Sequence, residues 1–114
     1  MLKLFDKDDN VRYIVEKSDL YKTYRVTNTE HVNLQNARVF FDIFDGLYLI
    51  KARGDSGYIS VVIAFWSGSY SGTSSPDIIF VYNKGFSYTA SNNTGTIAFD
   101  MTCNTIDVIP LMNV

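Results

Sequence analysis

Val39–Trp66 reads VFFDIFDGLYLIKARGDSGYISVVIAFW, and its alternation decides the fold class. Asp45-Gly46 stands between two apolar, β-favouring runs. A two-residue type I′ turn needs positive φ at both central positions, which Asp-Gly tolerates, so the pair predicts a hairpin corner. Counting outward from that corner pairs Phe44 with Leu47, Ile43 with Tyr48, Phe41 with Ile50 and Val39 with Ala52. Successive side chains point to opposite faces, so one side carries Val39, Phe41, Ile43, Tyr48, Ile50 and Ala52 and no charge. That side is predicted to be core. The other side mixes Phe40, Asp42, Phe44, Leu47, Leu49 and Lys51. On it Phe40, Phe44, Leu47 and Leu49 need a cover, either a second sheet of the same chain or a sister subunit, and they are the candidate interface residues. After the turn-like Arg53–Gly57, Tyr58–Trp66 is apolar on both faces, the pattern of a central strand covered on both sides.

Working outward, Met1–Phe5 reads as a short strand and Asp6–Asn10 as a polar turn. Val11–Glu16 fits a strand or, with Val11, Ile14 and Val15 at helical spacing, a turn or two of helix toward Leu20. Tyr21–Thr27 alternates as a half-exposed strand, and Asn28–Asn36 is polar loop. C-terminal to Trp66, Ser67–Asp77 is the most loop-like segment of the chain, long for a connection inside a compact domain. Ile78–Asn83, Phe86–Ala90 and Thr96–Thr102 read as strands, the last with Ile97, Phe99 and Met101 inward. Thr105–Met112 is the final strand. Pro110 cannot donate to a ladder, so this strand is expected at an edge or to lose its pairing there. The sum is an all-β chain of about eight antiparallel strands, a β-sandwich with jelly-roll-like spacing. Residues 1–114 form one domain, within which 1–36 supply an N-terminal arm or extra strands.

Composition narrows the function classes. The 114 residues are 46% hydrophobic and 15% aromatic, enough for one real core. A net charge of −2 and no basic stripe argue against a nucleic-acid partner. No apolar run approaches the length of a membrane helix, so no membrane insertion is expected, and the start of the chain lacks the pattern of a signal peptide. The single Cys103 excludes an internal disulfide, leaves the redox compartment open, and reads as a small buried side chain rather than a nucleophile.

The chemical motifs are thin. Asp6, Asp8 and Asn10 imitate the opening of a calcium loop, but no glycine and closing glutamate follow, so a solvated acidic turn is expected. His31 is the only histidine and has no ligand companions; it reads as an exposed loop residue, and neither a metal nor another cofactor is expected. Asn92-Asn93-Thr94 is a glycosylation sequon, meaningful only in a eukaryotic secretory protein. Arg53-Gly54-Asp55-Ser56 matches an integrin-recognition tripeptide, although Gly and Asp are what a tight turn needs anyway. No catalytic constellation emerges, and the chain is read as a non-enzyme. Loop aromatics mixed with amides and carboxylates suit a sugar, whose apolar ring face stacks on an aromatic while its hydroxyls bond to polar groups. Trp66, Tyr70, Asp77, Tyr88 and Asn92 are the candidate glycan-binding residues.

Gly46–Ala52 (GLYLIKA), a Gly/Ser turn, and Tyr58–Phe65 (YISVVIAF) together resemble the C-terminal receptor-binding tips of bacteriophage tail fibres, in which a G-x-Y-x-I-x-A strand often precedes such a turn and a further apolar strand. The likeness spans residues 40–114, including a terminal strand over Ile106–Val114. It implies a compact homotrimeric β domain on the virion surface that recognises a bacterial surface carbohydrate or protein receptor and catalyses nothing, with the uncovered sheet face as subunit interface. The alternative is a small cytoplasmic structural or inhibitor-type protein acting through the hydrophobic hairpin face.

Overall fold

A computed structural model describes residues 1–16, 18–41, 46–65, 77–91 and 96–112. These residues form ten strands: β1 (Leu2–Phe5), β2 (Val11–Val15), β3 (Tyr24–Thr27), β4 (Arg38–Phe41), β5 (Leu47–Arg53), β6 (Ile59–Phe65), β7 (Asp77–Lys84), β8 (Tyr88–Ser91), β9 (Thr96–Phe99) and β10 (Thr105–Met112). They make two antiparallel sheets of five strands, ordered β2-β1-β4-β9-β8 and β3-β10-β5-β6-β7. The chain changes sheet between β2 and β3, β3 and β4, β4 and β5, β7 and β8, and β9 and β10. This repeated crossing gives the sandwich its jelly-roll-like character.

The layers meet through alternate residues. Leu2, Leu4, Val15, Val39, Ile97 and Phe99 of the first sheet form one cluster with Val26, Tyr48, Ile50, Ala52, Val62, Ala64, Ile106 and Val108 of the second. Every one of them is buried. Phe86, in the link between β7 and β8, closes one end by meeting Phe99 edge-to-face with ring centroids 5.9 Å apart. At about 25 cal/mol per Å2 of apolar surface removed from water, this cluster is the main stabilising term.

The Asp45-Gly46 corner does not join two paired strands. β4 lies between β1 and β9, whereas β5 lies between β10 and β6. The link between them carries the chain from one layer to the other. The inward parity nevertheless holds, because Val39, Tyr48, Ile50 and Ala52 are all fully buried. A strand that crosses over keeps its apolar side toward the shared core whichever sheet it joins. Ile43 lies outside the described residues, as do Asp42 and Phe44.

Pro110 also behaves differently on its two flanks. β10 is an interior strand, but its pairing with β3 ends at Val108, and its pairing with β5 becomes irregular after Pro110. The Pro110 carbonyl instead accepts from the Tyr21 backbone N–H at 2.8 Å. Val11–Val15 is a strand rather than a helical turn.

The acidic turn is solvated over Lys7, Asp8, Asp9 and Asn10, whereas its first residue turns inward. Asp6 is fully buried, and its carboxylate accepts from the backbone N–H groups of Asp8 and Asn10 at 2.9 and 3.0 Å and from Arg12 Nε at 2.7 Å. Arg12 also donates to the His31 carbonyl at 3.1 Å, tying this turn to the β3–β4 loop. The calcium-like spacing therefore serves a self-satisfied structural turn.

Candidate functional site

The expected glycan residues do not assemble into one described patch. Trp66, Tyr70 and Asn92 lie outside the described residues. Asp77 opens β7 opposite Phe65, and Tyr88 opens β8 opposite Phe99, 43% exposed. Eight residues of β7 span roughly 23 Å at strand rise. Since Tyr88 follows the far end of that strand, Asp77 and Tyr88 stand at opposite ends of the sandwich.

The expected interface residues are divided as well. Phe40 sits on the outer face of the first sheet, opposite Lys3 and Thr96, whereas Leu47 and Leu49 sit on the outer face of the second. One hairpin face carrying both Phe40 and Leu49 does not exist. Phe44 lies outside the described residues.

Two surface features take their place. The first is the outer face of the second sheet. Ile109, Leu49 and Ile63 stand in register across β10, β5 and β6 as an uninterrupted aliphatic row. Leu47, Val61, Ile59, Phe65 and Leu111, at outward positions of the same strands, extend it in both directions. All are half-buried. The next row contains Asp107, Lys51 and Val61. Asp107 is nearly buried and holds Arg25 through a bidentate pair at 2.7 and 2.8 Å, so this carboxylate is matched by Arg25 and Lys51 adds a positive charge to the row. The hydrogen bonds and charge of Asp107 raise the Arg25 pKa further. The outer face of the first sheet is different in kind: Lys3, Arg38, Thr89 and Thr96 interrupt it, and Arg38 lies over the Phe5 ring and pairs with Asp9.

The second feature is a cleft of about 390 Å3 where the β5–β6 turn meets the start of β10. Its walls include Arg53, Gly54, Tyr58, Ile59, Asn104 and Thr105. The turn is held from both sides. Gly54 N–H donates to the Tyr58 carbonyl at 2.9 Å and Tyr58 N–H to the Asp55 carbonyl at 3.1 Å. Asn104 donates from its backbone to the Arg53 carbonyl at 2.6 Å and from its side-chain amide to Asp55 Oδ1 at 2.8 Å. Ser56 (φ 60°) and Gly57 (φ 75°) occupy the left-handed region that reverses the chain. Asp55 is thus engaged in turn structure, as expected from the composition of the tripeptide.

Compared with protein-family models, curated proteins and solved structures, the chain matches none.

Nucleophilic chemistry finds no support at Cys103, which is fully buried, and burial pushes its thiol pKa up to about 12. His31 is exposed. Among the described residues no three metal-ligating side chains converge. Neither Tyr58 nor Asn104 was singled out by the sequence. The only local signals were an aromatic after a Gly/Ser turn and an amide before a strand, and nothing in either signal says that the two meet.

Proposed function

We propose that the protein is a non-catalytic recognition module that works as an assembly of identical copies joined through the outer face of the second sheet. The observation that carries this reading is the aliphatic row Ile109–Leu49–Ile63 with its apolar flanks. An antiparallel sheet facing water normally alternates apolar-in and polar-out, and this one is apolar on both sides over three adjacent strands. Contiguous apolar surface of that kind marks an interaction site. The centre of the patch carries no charge, and the nearest acidic group is already paired with Arg25. Such a patch is complementary to itself, which favours a second copy over a charged partner.

The finer form of the proposal is an attachment domain, trimeric as the tail-fibre resemblance implies, displayed on a virion and directed at a bacterial surface carbohydrate. Exposed tyrosines suited to stacking stand at separate places on the molecule: Tyr58, Tyr82 and Tyr88 are 37%, 54% and 43% exposed. The test of the assembly is Leu49→Asp. A carboxylate at the centre of the patch is expected to dissociate the copies while leaving the circular dichroism of the sandwich unchanged. A Leu49→Asp protein with the parent's mass in solution would overturn the proposal. Assembly with an unrelated protein, and none with itself, would replace the occupant and favour the structural or inhibitor-type reading.

A further inference from the structure

The cleft beside the β5–β6 turn has a chemistry of its own. Its volume of about 390 Å3 falls at the lower end of the range for small-molecule sites, roughly 300–1,000 Å3. Tyr58 lines it, and its ring packs against Gly85: a Cβ built on Gly85 would stand 2.3 Å from Tyr58 Cδ1. Tyr58 is 37% exposed, so part of the residue remains open to a ligand. Asn104 and Thr105 line the same cleft and bring an amide and a hydroxyl to it. The Asn104 amide is fixed in direction by its bond to Asp55, and its backbone by the bond to Arg53.

Charge then selects the ligand. Arg53, Ile59 and Lys84 stand in one cross-strand row on the outer face, the two cations flanking the isoleucine. Both cations are exposed, and among the described residues neither has an ion-pair partner. Asp55, on the same turn, keeps its charge while it accepts from the neutral Asn104 amide, so the two cations outnumber this carboxylate and leave a net positive balance. An aromatic ring for stacking, an amide and a hydroxyl for hydrogen bonds, and the Arg53 guanidinium in the same lining, with Lys84 further along its cross-strand row, describe a receptor for a polyhydroxylated ring that carries a carboxylate.

We propose that this cleft binds a carboxylate-bearing sugar of the uronic acid class, with Tyr58 against the apolar face of the pyranose, Asn104 and Thr105 on its hydroxyls, and Arg53 on its carboxylate. The proposal deepens the recognition reading above and rests on it for its biological sense, but its test does not depend on assembly. Free D-glucuronate is titrated into the 15N-labelled full chain and followed by amide shifts. A monosaccharide at a half-open cleft is expected to bind with a Kd on the order of 1 mM. The expected result is saturable shifts at Arg53, Tyr58, Asn104 and Thr105, with D-glucose and acetate each about tenfold weaker or worse, since each lacks half of the recognised chemistry. Arg53→Met is expected to reduce glucuronate affinity to that of glucose and Arg53→Lys to restore part of it. Tyr58→Phe is expected to keep binding, because the ring face is what is used.

Equal affinity for glucose and glucuronate, equal affinity for acetate and glucuronate, or no saturable shift at these amides would each overturn the assignment. A protein that assembles but ignores glucuronate refutes the cleft alone, and a monomer that binds it refutes only the assembly face.

Discussion

Gly85 is pressed against the ring of Tyr58, close enough that a Cβ on Gly85 would stand 2.3 Å from Tyr58 Cδ1 and 2.6 Å from Cε1 and Cγ. Gly85 also sits at φ 82°, in the region that side-chain-bearing residues adopt only with strain. Both effects act on the same substitution. Gly85→Ala is expected to destabilise the fold by about 2–3 kcal/mol, the sum of an unfavourable backbone conformation and a forced displacement of the ring. Thermal unfolding measures it; a melting temperature equal to that of the parent would show that Tyr58 is not held as described.

Ser60 makes the opposite prediction. It lies on the core side of β6, fully buried, and among the described residues its hydroxyl has no hydrogen-bond partner. A buried hydroxyl without a partner loses its hydration and gains nothing in return. Ser60→Ala is therefore expected to leave stability unchanged or raise it by up to about 1 kcal/mol. Chemical denaturation gives the sign, and a clear loss of stability would mean that the hydroxyl is satisfied.

Asp6 sets the acid response of the N-terminal turn. Burial raises its pKa, but the Arg12 guanidinium and the donors of Asn10 and Asp8 outweigh burial and hold the carboxyl below its ordinary value of 3.8. A carboxylate with a depressed folded-state pKa contributes stability above its unfolded-state pKa, and that contribution is lost as pH falls through the folded value. The parent is expected to lose stability as pH falls below about 4. Asp6→Asn is expected to be less stable at pH 7 and to show a flatter profile in that acid window. Parallel profiles for the two proteins would show that Asp6 is not the titrating group.

Much of the fold was legible because face parity is a local property. Tyr48, Ile50 and Ala52 alternate with Leu47, Leu49 and Lys51, and that alternation alone places the former in the core whichever strands lie beside them. Strand partnership is not local. Asp45-Gly46 has the chemistry of a hairpin corner, yet the two strands around it belong to different sheets, because closing the core across both layers outweighs the preference of a dipeptide. Pro110 shows the same limit in reverse: the missing donor was foreseeable, whereas its consequence, pairing with β3 that stops at Val108 inside the sheet, depended on what lay on that side. Burial of Asp6 was hidden because its partner Arg12 reads as an ordinary strand cation. The cleft was least legible, for it joins Tyr58 to Asn104, whose proximity is set by the pairing of Thr105 with Arg53.

The proposal stands most directly on the mass of the unmodified chain in solution. Sedimentation equilibrium at about 100 μM, a concentration at which interfaces of μM affinity are filled, is expected to give a multiple of 12.9 kDa, about threefold for the trimer, with Leu49→Asp returning the single-chain value. A parent that sediments at 12.9 kDa throughout that range would contradict assembly through the outer face of the second sheet.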